Sequence, residues 1–142
     1  MPRPGPLRPG RAKGYPVALS LESVLVAAGA ASSKTDDPTV VLEVGELLGI
    51  TDHFVITSGS NVRQVRTIAE EIEMRVKAQG GGSPRYVEGL ADARWVLLDY
   101  GEFIVHVFLD EARHFYNLER LWSDAPRVEH PWPEAERVGA EL

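Results

Sequence analysis

The sequence predicts a single α/β domain built on a mixed sheet of about five strands flanked by helices. Three observations carry that prediction. Short β-branched and apolar runs exchange with a long stretch of 3.6-residue periodicity, as in a sheet packed against helices. The stretch WVLLDYGEFIVHVF, residues 95–108, is two apolar runs around Asp99-Tyr100-Gly101-Glu102, a hairpin in which glycine supplies a positive φ. At 142 residues the chain is long enough to bury a core without metal or disulfide support.

Taken in order, residues 1–16 hold five prolines and three glycines with no apolar periodicity, which predicts a flexible basic tail. They lack the apolar stretch of a secretory signal. A transit peptide is the competing reading of this acid-free segment, but Pro and Gly oppose the amphipathic helix such peptides form. The domain is expected over residues 17–125. Ser20 is the expected cap of a helix to about Ser33, with Leu21, Val24, Leu25 and Ala28 on one face. A turn at Lys34-Thr35-Asp36-Asp37-Pro38 precedes a strand over 39–44, and 53–57 forms a second strand ended by Ser58-Gly59-Ser60. Val62, Val65, Ile68, Ala69, Ile72 and Val76 predict a helix over 61–79, stopped by three glycines. A short strand near 85–88 leads into the hairpin, whose two runs read as central strands covered on both faces. A loop of Tyr100-Gly101 would pair Leu98 with Phe103, Leu97 with Ile104 and Trp95 with His106, with Trp95, Asp99 and His106 on one face. The last helix is expected from a cap at Asp110 to Trp122, and residues 126–142 form a flexible acidic tail.

Charge narrows the function. The net charge is −6, but the first sixteen residues carry four basic side chains and no acid, leaving 11 basic and 21 acidic groups, −10, on the remainder. Such a domain is a poor general nucleic-acid binder and suits a basic macromolecular partner. No cysteine is present, which removes disulfides, thiol nucleophiles and cysteine-type zinc sites and fits a reducing, intracellular compartment. No apolar run is long enough to span a bilayer.

Catalytic signatures are weak. Ser58-Gly59-Ser60-Asn61 joins strand to helix, where N–H groups and the helix dipole suit a phosphate. It is neither a P-loop nor a dinucleotide fingerprint, and a tight turn with a helix cap is the plainer reading. Nucleotidyltransferases place a Gly-Ser turn here but also need two or three carboxylates on nearby strands to hold magnesium, and no Asp-x-Asp or Asp-x-Glu pair follows. Asp52, His53, Asp99 and His106 are acid–base and metal-ligating types whose spacing does not draw them together, so turn and sheet roles are the plainer readings. No catalytic residue, metal site or cofactor is assigned. Trp95, Tyr100, Phe108, Phe115, Tyr116 and Trp122 serve either as core or as anchors for a protein partner. Phe115, Leu118, Leu121 and Trp122 recur at helical spacing and suit docking on the sheet, whereas Tyr100 sits at a turn and Arg113, Tyr116 and Glu119 lie around another part of the helix.

The motifs ITDHFVITSGSN (50–61), Val62-Arg63-Gln64-Val65, Val87-Glu88-Gly89, WVLLDYGEFIVHVF and RHFYNLERLW (113–122), in this order, resemble the bacterial ribosomal silencing factors, the RsfS or Iojap family. The resemblance runs from about Leu21 to Asp124; Glu102 stands where the family often has Asp. It implies a nucleotidyltransferase-like fold without the catalytic carboxylates, no enzyme activity, a cytoplasmic homodimer off the ribosome, and no membrane. It further implies binding to ribosomal protein number fourteen of the large subunit, which blocks joining of the small subunit when nutrients are scarce. Organellar relatives imply an alternative role in large-subunit assembly; a nucleotide-dependent enzyme or binding module using Ser58 to Asn61 is the remaining competitor. The acidic and aromatic groups expected at the partner surface are Asp99, Tyr100, His106, Arg113, Tyr116 and Glu119, supported from behind by Trp95 and Trp122; sequence-specific nucleic-acid contact is not expected.

Overall fold

In the computed structural model, residues 17–131 are described, with side chains from residue 21 onward. The expectations for residues 1–16 and 132–142 lie outside the described residues. The elements are α1 (Val17–Ser32), β1 (Val40–Glu43), α2 (Gly45–Leu48), β2 (His53–Gly59), α3 (Val62–Gln79), β3 (Tyr86–Glu88), β4 (Trp95–Asp99), β5 (Phe103–Leu109), α4 (Asp110–Tyr116) and α5 (Leu118–Leu121). The five strands form one mixed sheet in the order β1-β2-β5-β4-β3, parallel only between β2 and β5.

Burial explains the layers. On α3 the residues Val65, Ile68, Ala69, Ile72 and Val76 form the predicted buried stripe. Opposite them α1 buries Val24, Ala27, Ala28 and Ala31, whose small side chains let the two helices approach closely. Both pack on the sheet face made by Val41, Val55, Val96, Leu98, Val105 and Val107. Each fully buried isoleucine of this layer contributes about 1.5–3 kcal/mol. Asn61 caps α3 by accepting from the Gln64 backbone N–H at 2.8 Å, and Gly80, at φ 104°, ends it. On the second face, Val40, Leu42, Phe54, Ile56 and Phe108 meet Ala112 and Leu118 from α4 and α5. Gly89, at φ 88°, lies where any Cβ would collide with the Trp95 carbonyl, so the entry to β4 requires glycine.

Several expectations are corrected. The first helix begins at Val17, so Ser20 lies inside it and is not its cap. The hairpin pairs Leu98 with Val105, Leu97 with His106 and Trp95 with Phe108, two residues away from the expected register. Its loop is Tyr100 to Glu102, fixed by the Gly101 N–H donating to Asp99 Oδ1 at 2.7 Å and the Tyr100 N–H to the Phe103 carbonyl at 2.9 Å. A slip of two preserves the pleat, so Trp95, Asp99 and His106 do share a face. Along β4, burial alternates, which shows a strand fully covered on one side only. The last helix is broken at Asn117, which adopts left-handed φ/ψ (48°, 56°), and Leu109, not Asp110, precedes it. That break turns Phe115 and Leu121 outward, 78% and 73% exposed, instead of onto the sheet. The described part of the expected tail is held in place: Glu43 N–H donates to the Pro126 carbonyl at 2.8 Å and Val128 N–H to the Val41 carbonyl at 2.9 Å, covering the edge of β1.

Candidate protein-docking face

The second sheet face is unevenly covered. Here α4 and α5 sit over β1, β2 and β5, with α4 packing against β5 and β2. Toward β4 and β3 the face carries half-buried Trp95, Leu97, Asp99 and Ile104 and exposed Tyr86 and Glu88, all on the same side of the pleat. Tyr86 is 60% exposed. From this open region an aromatic ridge rises: Tyr116 lies on Trp95 at a ring distance of 4.8 Å, and Phe115 meets Tyr116 edge to face at 5.0 Å. Exposed apolar rings on an uncovered sheet are the composition of a protein-binding surface, with the carboxylates suited to its polar rim.

The predicted surface residues divide by position. Asp99 lies at the end of β4 on the open face, ion-paired with Arg85 at 3.7 Å. Tyr116 is half exposed on the ridge. Tyr100 turns to the other side of the sheet, stacked on Phe103 at 4.6 Å; burial, and then the neighbouring Glu73 charge, push its hydroxyl pKa up. His106 is only 5% exposed and lies beneath the ridge, its Nδ1 accepting from Trp95 Nε1 at 3.1 Å. That bond leaves the neutral ring's proton on Nε2, which has no hydrogen-bond partner. Burial among Phe54, Trp95 and Phe108 pushes the imidazole pKa down to about 4. Trp122 supports the face from the α5 side, edge to face with Phe54 at 5.6 Å.

Arg113 and Glu119 form a bidentate pair, both contacts at 3.1 Å, that clamps the Asn117 break. The remaining Arg113 nitrogen donates to the Pro38 carbonyl at 2.7 Å and to Ser58 Oγ at 2.8 Å. Ser58 Oγ in turn donates to Asp37 Oδ2 at 2.8 Å. Together with Asp110 these groups line a cleft of about 470 Å³ at the carboxyl ends of the parallel strands β2 and β5. Burial, then the hydrogen bond with Asp37 and its charge, push the Asp110 carboxyl up to about 6. Sequence reasoning missed this cluster because Asp37, in the turn before β1, and Asp110, at the start of α4, are far apart in the chain; it also missed Phe115 and Leu121 as surface groups, for which Asn117, tolerant of left-handed φ/ψ, was the available signal.

The catalytic competitors do not assemble. Ser60 N–H and Oγ both donate to Gln64 Oε1, at 2.7 and 2.9 Å, while Asn61 takes the Gln64 N–H, so the start of α3 is capped by its own side chains. His53 shares the Val55 side of β2, opposite the face that carries His106, so the two imidazoles do not converge. Among the described residues no cluster of three His, Asp or Glu residues is placed to hold a metal ion. No described helix is long and apolar enough to cross a membrane.

Comparison with known proteins adds a family. A family model described as "Ribosomal silencing factor during starvation" matches residues 18–141. Over 108 residues the chain is 41% identical to a ribosomal silencing factor of Halalkalibacterium halodurans, covering 76% of this chain and 92% of that one. It is 33% identical over 85 residues to the mouse protein named mitochondrial assembly of ribosomal large subunit protein 1, covering 58% of this chain and 37% of the mouse protein. A crystal structure of a protein from Chromobacterium violaceum superposes with a TM-score of 0.69 at 25% identity, over 82% of this chain and 96% of that one.

Proposed function

As this chain belongs to the ribosomal silencing factor family, we propose that it represses translation by docking on the large ribosomal subunit, through ribosomal protein number fourteen, and sterically blocking the small subunit when nutrients are scarce. The observation that carries the reading is the uncovered β4–β3 face with its Trp95-Tyr116-Phe115 ridge. A domain with a charge balance of −10 beyond its first sixteen residues is repelled by ribosomal RNA and attracted to a basic ribosomal protein. In this mechanism Asp99, Tyr116 and the exposed edge of Trp95 contact the partner, joined by Tyr86 and Phe115. Tyr100, His106, Arg113 and Glu119 shape that surface from behind, and Trp122 buttresses it. Binding is stoichiometric and involves no turnover. The protein is cytoplasmic and pairs with a second copy of itself when off the ribosome.

Sedimentation of separated ribosomal subunits with the purified protein, before and after magnesium is raised to drive joining, tests this. Co-sedimentation with the large subunit and failure to form whole ribosomes is the expected result. The name of the mouse relative favours a second reading, large-subunit assembly; binding that leaves joining intact would select it, and absence of binding would sink both.

A further inference from the structure

We infer that His106 is a positioning residue for docking: it sets the orientation of Trp95, and through it the aromatic ridge, without touching the partner. The inference rests on the docking reading above and goes beyond it by assigning affinity to a buried atom. His106 Nδ1 is the acceptor held by the Trp95 indole N–H, at 3.1 Å. The bond runs diagonally across the hairpin, since Trp95 pairs with Phe108 and His106 with Leu97. Trp95 carries Tyr116 at 4.8 Å, and Tyr116 carries Phe115 at 5.0 Å, so one acceptor fixes the first ring of a chain of three that ends in solvent.

Stability alone does not account for a histidine here. Its second nitrogen, Nε2, is buried without a partner among Phe54, Trp95 and Phe108. An orphaned buried donor destabilises a fold, and an apolar ring at the same place would remove the penalty. What the apolar ring would lose is the acceptor for Trp95. A half-buried indole without its acceptor turns its N–H toward water and disturbs the tyrosine ring packed at a tilt against it, so the partner meets a surface that must first be ordered.

Two substitutions separate positioning from packing. His106→Phe keeps a ring against Phe54 and Phe108 and removes the acceptor. His106→Asn keeps an oxygen where Nδ1 stands and loses the ring. Affinity of each full-length variant for isolated large ribosomal subunits is compared with its melting temperature and with the exchange of the Trp95 indole N–H in NMR spectra. The Phe variant is expected to melt no lower than the wild type, to bind about tenfold more weakly, and to show a fast-exchanging indole proton. The Asn variant is expected to melt lower, yet to bind within about threefold of the wild type with a protected indole proton. Affinity that follows melting temperature, with Phe binding as the wild type does, overturns the positioning role alone. A wild-type chain that does not bind the large subunit overturns the docking reading and this inference with it.

Discussion

Asp110 is the residue whose chemistry is most displaced by its neighbours in the cleft. Its carboxyl is raised to about 6 by burial, then by the hydrogen bond and charge of Asp37, with Ser58 and Arg113 acting in the opposite direction. A carboxyl with a raised folded pKa contributes stability that is complete below its ordinary value of 3.8 and is lost as pH rises through about 6. At neutral pH two carboxylates therefore face each other, one before β1 and one at the start of α4. Asp110→Asn keeps a donor toward Asp37 and removes the repulsion. The variant is expected to melt higher than the wild type at pH 7, with the difference shrinking steadily toward pH 4. Calorimetric melting curves of both proteins across that range check the sign, and a constant difference would exclude the raised Asp110 pKa.

At the scale of elements, Arg113 does what helical periodicity cannot. It bridges α4, the Pro38 turn, the end of β2 and, through Glu119, the short helix beyond the Asn117 break. Lysine keeps the charge but not the planar fork, so Arg113→Lys should lower the unfolding free energy by about 1.5–3 kcal/mol. Urea titration at unchanged m-value measures this; a loss below about 0.5 kcal/mol would show the clamp to be dispensable. The same contacts mark where the sequence stopped being legible. The stripe of α3 and the shared face of Trp95, Asp99 and His106 were readable, because burial imposes a period on side chains. Hairpin register was not, since it depends on loop bonds that no period encodes, the Gly101 N–H donating to Asp99 Oδ1 and the Tyr100 N–H to the Phe103 carbonyl. Nor was the outward turn of Phe115 and Leu121, which follows from a left-handed Asn117 fixed by a tertiary clamp. The open face itself depends on which strands α4 and α5 fail to cover, a global outcome that no local pattern encodes.

For the whole molecule, the proposed docking combines two forces that salt separates. The balance of −10 beyond residue 16 acts over the Debye length, about 10 Å at 0.1 M salt and about 3 Å at 1 M, so it speeds encounter and weakens as salt rises. The ridge of Trp95, Tyr116 and Phe115 acts by contact and desolvation, which salt leaves largely intact. Affinity for the large subunit is therefore expected to fall with added salt. Asp99→Asn should make that fall shallower, whereas Phe115→Ala should weaken binding by a similar factor at every salt concentration. Titrations of the wild type and both variants over a series of potassium chloride concentrations separate the two terms. A salt-insensitive wild type would remove charge from the docking mechanism and leave the aromatic ridge to carry it. A Phe115→Ala variant that binds as the wild type does would instead move the contact off the ridge and toward the carboxylates along β3 and β4.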